Sequence, residues 1–192
     1  MKTFELNGTE RENVGKKATK SSRKDGLIPA VLYGGNESAK HFTVSQADVR
    51  KLIYTPEIYI VNLTVGKEKI KAILKDIQFH PVSDAILHID FLHVYDDKPI
   101  IIEIPVELDG LAEGVKAGGK LSLDMRKLKV KALYKDIPEK LHINIENLAL
   151  GKSIQVSDLS FDKLELLNAK NAVVCRVQLT RAARGAAAKS AE

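Results

Sequence analysis

Residues Arg11 to Lys24 hold Arg11, Lys16, Lys17, Lys20, Arg23 and Lys24 against one acid, Glu12. Their sum equals the formal net charge of the whole protein, +5, so the rest of the chain cancels to zero. Cations at this density neutralise phosphates and release condensed counterions, which is the chemistry of polyanion binding. The alternative is a solvated charged loop with no partner. Gly15, Ser21, Ser22 and Gly26 are expected to keep the segment out of stable helix.

Two further groups carry possible chemistry. Tyr33 precedes Gly34-Gly35, which offers a hydroxyl and a ring face beside a close backbone approach, useful for a nucleotide. A core tyrosine at a plain β-turn fits the same residues. In the run Lys75 to His93, strand alternation sends Ile89 and Phe91 to one face and His88 and Asp90 to the other. Asp90 can accept from amino groups and His88 can donate, so the pair can read base edges or 2′-hydroxyls. The pair also fits a metal site with His80 or His93, a catalytic His–Asp couple, or simple decoration of the sheet. No tight HxH or HxxxH spacing supports a metal, and no GxSxG, CxxC, HExxH or phosphate-binding GxxxxGK[ST] motif occurs. No enzyme, metal or cofactor is therefore expected.

The elements that must position these groups read mostly as strands. Ile58 to Val65 is rich in β-branched and aromatic residues. A Gly66-Lys67 turn follows, and then Glu68 to Ile77, where Ile70, Ala72 and Leu74 alternate with Lys69, Lys71, Ile73 and Lys75. Ala30 to Tyr33 and Ile86 to Tyr95 are further strands. The clearest helix is Ser45 to Tyr54, with Ser45 as cap, Asp48 at the capping-box position, and Val49, Leu52 and Ile53 as its apolar face. The first half, residues 1–95, is expected to be a small, closed or nearly closed, mostly antiparallel β-barrel-like domain with one or two short helices.

At Asp96-Asp97-Lys98-Pro99 the texture breaks, and a second, mostly β domain is expected over 96–180. Its strands are the apolar run from Ile100, then Leu128 to Leu133, Leu141 to Ile145, Ser153 to Val156 and Ala172 to Leu179. A loop-rich stretch carries Gly110, Gly114, Gly118 and Gly119. The charge of this half is near balanced, so it is not expected to be the main polyanion surface. Residues 181–192, basic and Ala-rich with no large apolar side chain, read as a disordered tail.

Composition is ordinary for a soluble globular protein, 44% hydrophobic and 29% charged, and the sequence pI near 9.1 adds weight to an acidic partner. No apolar run approaches the ~20 residues of a membrane span. The start MKTFELNGTERE lacks the apolar core of a secretory signal. The lone Cys175 fits a reducing compartment and reads as a small buried hydrophobe in AVVCRV. A cytoplasmic location follows as an expectation.

The order of motifs resembles a known family. Gly15-Lys16-Lys17-Ala18-Thr19-Lys20-Ser21-Ser22-Arg23 is followed by Gly26 to Gly35 (GLIPAVLYGG), then Lys75 to Pro81 (KDIQFHP), then His88 to Phe91 (HIDF). This is similar to the bacterial large-subunit ribosomal protein that binds 5S rRNA, in its long two-domain form, the general stress protein CTC type. The likeness covers roughly residues 3 to 95, and Asp109 to Gly119, Ile137 to Glu139 and Ser153 to Leu159 resemble the family's C-terminal β domain. The resemblance implies binding to the loop E region of 5S rRNA at the central protuberance. Lys16, Lys20, Arg23 and Tyr33 would touch RNA from the arm and the YGG strand, and Lys75, His88 and Asp90 from the sheet. A basic arm ordered only on RNA binding would fit the family and the composition.

It also implies a non-enzymatic protein whose partners are 5S rRNA, the large subunit and neighbouring ribosomal proteins, and which is a monomer off the ribosome. The sequence departs from the short-form pattern at Ser21, Lys75 and Phe79. Lys17 and Lys24 restore charge without an arginine's bidentate geometry. Two rival readings are a stress-related protein–protein module whose arm binds acidic partners, and an enzyme built on His88 and Asp90.

Overall fold

The computed structural model describes residues 2–11, 14–35, 38–66 and 68–181. The expected tail beyond Arg181 and Lys67 of the expected turn lie outside them. The chain divides into two compact units, Met1–Lys98 and Pro99–Glu192.

Six strands close the first unit into a barrel. They are β1 (Lys2–Glu10), β2 (Leu27–Tyr33), β3 (Lys40–Ser45), β4 (Tyr59–Val65), β5 (Glu68–Phe79) and β6 (Ile86–His93), in the order β1-β3-β2-β6-β5-β4. Four pairings are antiparallel, while β1 with β4 and β2 with β6 are parallel. Alternation fills the interior with Leu6, Leu32, Phe42, Val44, Val61, Leu63, Ala72, Ile89 and Phe91, all buried. A barrel this small is a packed core rather than a pore. The strand expected from Ile86 to Tyr95 ends at His93, and the one expected from Ala30 begins at Leu27.

Helix α2 (Gln46–Ile53) lies where expected, with Val49 and Leu52 buried. Ser45 occupies its N-cap position, but its hydroxyl makes no capping hydrogen bond. Burial of the apolar face therefore carries the helix. The basic segment is also helical: α1 spans Lys16–Lys24. This overturns the expectation of a non-helical arm. Gly15 and Gly26 fall just outside the two ends, Gly26 with φ 74°, where a left-handed residue terminates a helix. Between them lie lysine, alanine and arginine, all good helix formers. The Ser22 hydroxyl donates to the Ala18 carbonyl at 3.0 Å, within the helix.

The second unit contains two sheets. β7 (Ile100–Asp109), β9 (Lys127–Ala132), β10 (Leu141–Asn144) and β12 (Glu165–Leu166) form one, in the order β10-β7-β9-β12. β8 (Lys120–Leu123), β11 (Ser153–Gln155) and β13 (Val173–Gln178) form the other, in the order β11-β13-β8. Ile104, Leu128, Val130, Leu141, Val174, Cys175 and Val177 are buried. The stretch expected to be loop holds the single-turn helix α3 (Glu113–Lys116) and strand β8. The exposed side of the four-stranded sheet is a ladder of opposite charges: Lys140 with Glu107 at 2.9 Å, Lys129 with Glu103 at 3.7 Å and Lys131 with Glu165 at 3.1 Å. These three pairs offset cations with acids across neighbouring strands.

Candidate RNA-binding face

At about 100° per residue, Lys16, Lys17, Lys20, Arg23 and Lys24 fall within an arc of about 120° of α1. All five are exposed. Ala18, Thr19 and Ser22 form the opposite, half-buried side. The small side chains let the helix lie close to the barrel, and Arg11 donates from Nη2 to the Thr19 hydroxyl at 3.2 Å. The arm is thus an amphipathic helix with its charge on one side.

A strip of polar side chains occupies the outer surface of β2, β6 and β5. Residues directly opposite in neighbouring strands share a face. Asp90 lies opposite Val31 of β2 and Asp76 of β5, and His88 lies opposite Gln78. Tyr33, two residues beyond Val31, joins the same face and is 36% exposed. Ile89 and Phe91 are fully buried between these outward residues, as alternation predicts.

Lys75 enters differently from the way alternation places it. The register steps from Leu74 opposite Phe91 to Asp76 opposite Asp90, making Lys75 the extra residue of a β-bulge. The bulge resets the alternation, so Asp76 and Gln78 take the outer face. Neither follows from a regular strand pattern, although both stand in the KDIQ motif. A second irregularity, between Gln78 and Phe79, leaves Leu87 out of the paired register. The Leu87 carbonyl receives Arg23, which donates from Nε at 3.1 Å and from Nη2 at 2.7 Å. This contact sets the last turn of the basic helix beside His88.

The histidine and aspartate engage each other. His88 Nδ1 donates to Asp90 Oδ1 at 2.6 Å, which fixes the ring and leaves Nε2 as its remaining hydrogen-bonding atom. Tyr33 has its pKa raised above 10.0, first by burial and then by the negative charges of Asp90 and Asp76. At neutral pH its phenol is therefore a hydrogen-bond donor. The other histidines of the run are used separately: His80 Nδ1 accepts from the Val82 and Ser83 amides at the hairpin tip, and His93 stacks on Tyr95. Among the described residues, no three His, Cys, Asp or Glu side chains are grouped to hold a metal.

The Gly34-Gly35 pair also has a specific cause. A Cβ at Gly35 would land on the Tyr95 hydroxyl, with the ring Cζ 2.6 Å away. The close approach is made by Tyr95, inside the protein.

Residues 6–91 match the Ribosomal L25p family, and residues 99–181 match the C-terminal domain of ribosomal protein TL5. The chain is 66% identical over 190 residues to "Large ribosomal subunit protein bL25" of Porphyromonas gingivalis, covering 98% of this chain and 99% of that one. The chain belongs to this family. Relatives with the same description include one from Parabacteroides distasonis, 63% identical over 194 residues with 98% and 100% of the two chains covered. Another, from Bacteroides fragilis, is 59% identical over 193 residues with 98% of each covered. The chain is a structural protein of the large ribosomal subunit in the family's long two-domain form, and not an enzyme. No helix among the described residues is long and apolar enough to cross a membrane.

Proposed function

We propose that this protein binds 5S rRNA at its loop E region, within the central protuberance of the large subunit. Arg23 bridges to the Leu87 carbonyl and so joins a cationic helix to a strip of base-reading groups, and this observation carries the reading. The helix supplies phosphate contacts through Lys16, Lys17, Lys20 and Lys24. Tyr33, His88 and Asp90 supply selectivity, with Asp76 and Gln78 completing their face and Lys75 at its edge. Side chains held on a sheet suit the wide, shallow minor groove of irregular RNA. The second unit meets neighbouring ribosomal surfaces, and off the ribosome the protein is a cytoplasmic monomer.

Copurification of the native protein with and without ribonuclease treatment tests the choice of partner. Loss of association with the large subunit on digestion supports an RNA partner. Association that survives digestion and persists with acidic proteins would favour a protein–protein module instead.

A further inference from the structure

We infer that Tyr95 is a positioning residue for Tyr33, acting through the Gly34-Gly35 turn; the inference rests on the RNA-binding reading above. β2 ends at Tyr33, and the chain turns at once through Gly34 (φ 131°) and Gly35 (φ 73°). Both backbone conformations are ones that side chains other than glycine rarely adopt. The turn is held from outside the strand. The Tyr95 hydroxyl donates to the Gly34 carbonyl at 3.3 Å, and its ring occupies the space of an absent Gly35 side chain.

Tyr95 is itself clamped. His93 stacks on its ring with centroids 4.1 Å apart, and Lys98 Nζ lies 4.9 Å from the ring centroid. His93 is the last residue of β6, the strand that pairs with β2 and carries His88 and Asp90. The exit of β2 is thus fastened to the exit of β6 by one aromatic side chain. Tyr33 and the His88/Asp90 pair are kept in a fixed relation at that end. The YGG sequence serves internal packing that presents Tyr33, instead of offering its backbone to a nucleotide.

The test compares Tyr95→Ala and Tyr95→Phe in the full chain. Amide hydrogen exchange is followed in the free protein, and 5S rRNA affinity is followed across a salt series. Tyr95→Ala should speed exchange at residues 33 to 35 while the central barrel strands stay protected. It should weaken RNA binding about three- to tenfold, the scale of ordering one side chain and its turn, with an unchanged salt slope because no cation is lost. Tyr95→Phe keeps the ring but loses the hydrogen bond to the Gly34 carbonyl, so it should restore both only in part. Native exchange and native affinity in Tyr95→Ala would overturn the inference, as would exchange rising equally through the whole barrel. Should the unmodified protein fail to bind 5S rRNA, the functional reading falls, while the exchange at residues 33 to 35 still decides what Tyr95 holds.

Discussion

Asp76 stands directly across the β5–β6 ladder from Asp90, on the outer face of the barrel. Two facing carboxylates repel phosphate, so this strip is unsuited to the RNA backbone. Carboxylates accept hydrogen bonds from base amino groups, whereas RNA phosphates carry no proton to donate to them. The five cations on one side of α1 have the complementary property. On the proposed RNA-binding function, the work is divided between a helix for charge and a sheet face for base identity.

The division predicts separable defects. Lys16→Gln with Lys20→Gln should weaken 5S rRNA binding and lower the slope of log affinity against log salt by up to about two. Circular dichroism should be unchanged, since both side chains are exposed. Arg23 is a poor choice for this test. Arg23→Glu would set a carboxylate against the Leu87 carbonyl and displace the helix, mixing a charge effect with a structural one.

Asp90→Ala should act on selectivity. It removes the partner that fixes His88 and one acceptor for base amino groups. Binding to loop E RNA should fall by about tenfold, the scale of one good polar contact, while binding to a plain duplex changes little. Gel shifts on the two RNAs read the difference. Equal loss on both would assign Asp90 a structural role.

Tyr33 provides a pH signature. Its raised pKa means the native state holds this proton at pH values where the unfolded chain has released it. The associated stability is present below pH ~10 and is lost as pH rises through the folded value. Asp90→Asn removes a negative charge and should move the Tyr33 titration back towards 10.0. NMR titration of the Tyr33 ring measures this directly.

Gly8 predicts a stability effect in β1. A Cβ there would lie 2.6 Å from the Phe42 ring, which is fully buried. Gly8→Ala should destabilise the barrel by about 1–3 kcal/mol through overpacking, measured by urea unfolding of the purified protein.

Gly8 also marks where the sequence is hard to read. β1 is not among the strands expected from the sequence, yet it runs straight through Asn7-Gly8 and pairs in parallel with β4. The glycine answers a ring 34 residues later, which no local pattern reveals. The bulge at Lys75 is hidden for a similar reason, because it is defined by the register against β6. By contrast, β4 follows from its β-branched and aromatic residues, most of β5 from alternation, and α2 from its apolar spacing. The basic residues of α1 are plain in the sequence. Their helix is obscured because Gly15 and Gly26 read as interior breakers when they stand at its ends.

Loop E recognition is tested most directly by affinity for two 5S rRNAs, one intact and one with loop E replaced by regular base pairs, each titrated over a range of salt. Tight, salt-dependent binding to the intact RNA and much weaker binding to the altered one are expected. Equal affinity for both, or no measurable binding to the intact RNA, would contradict it.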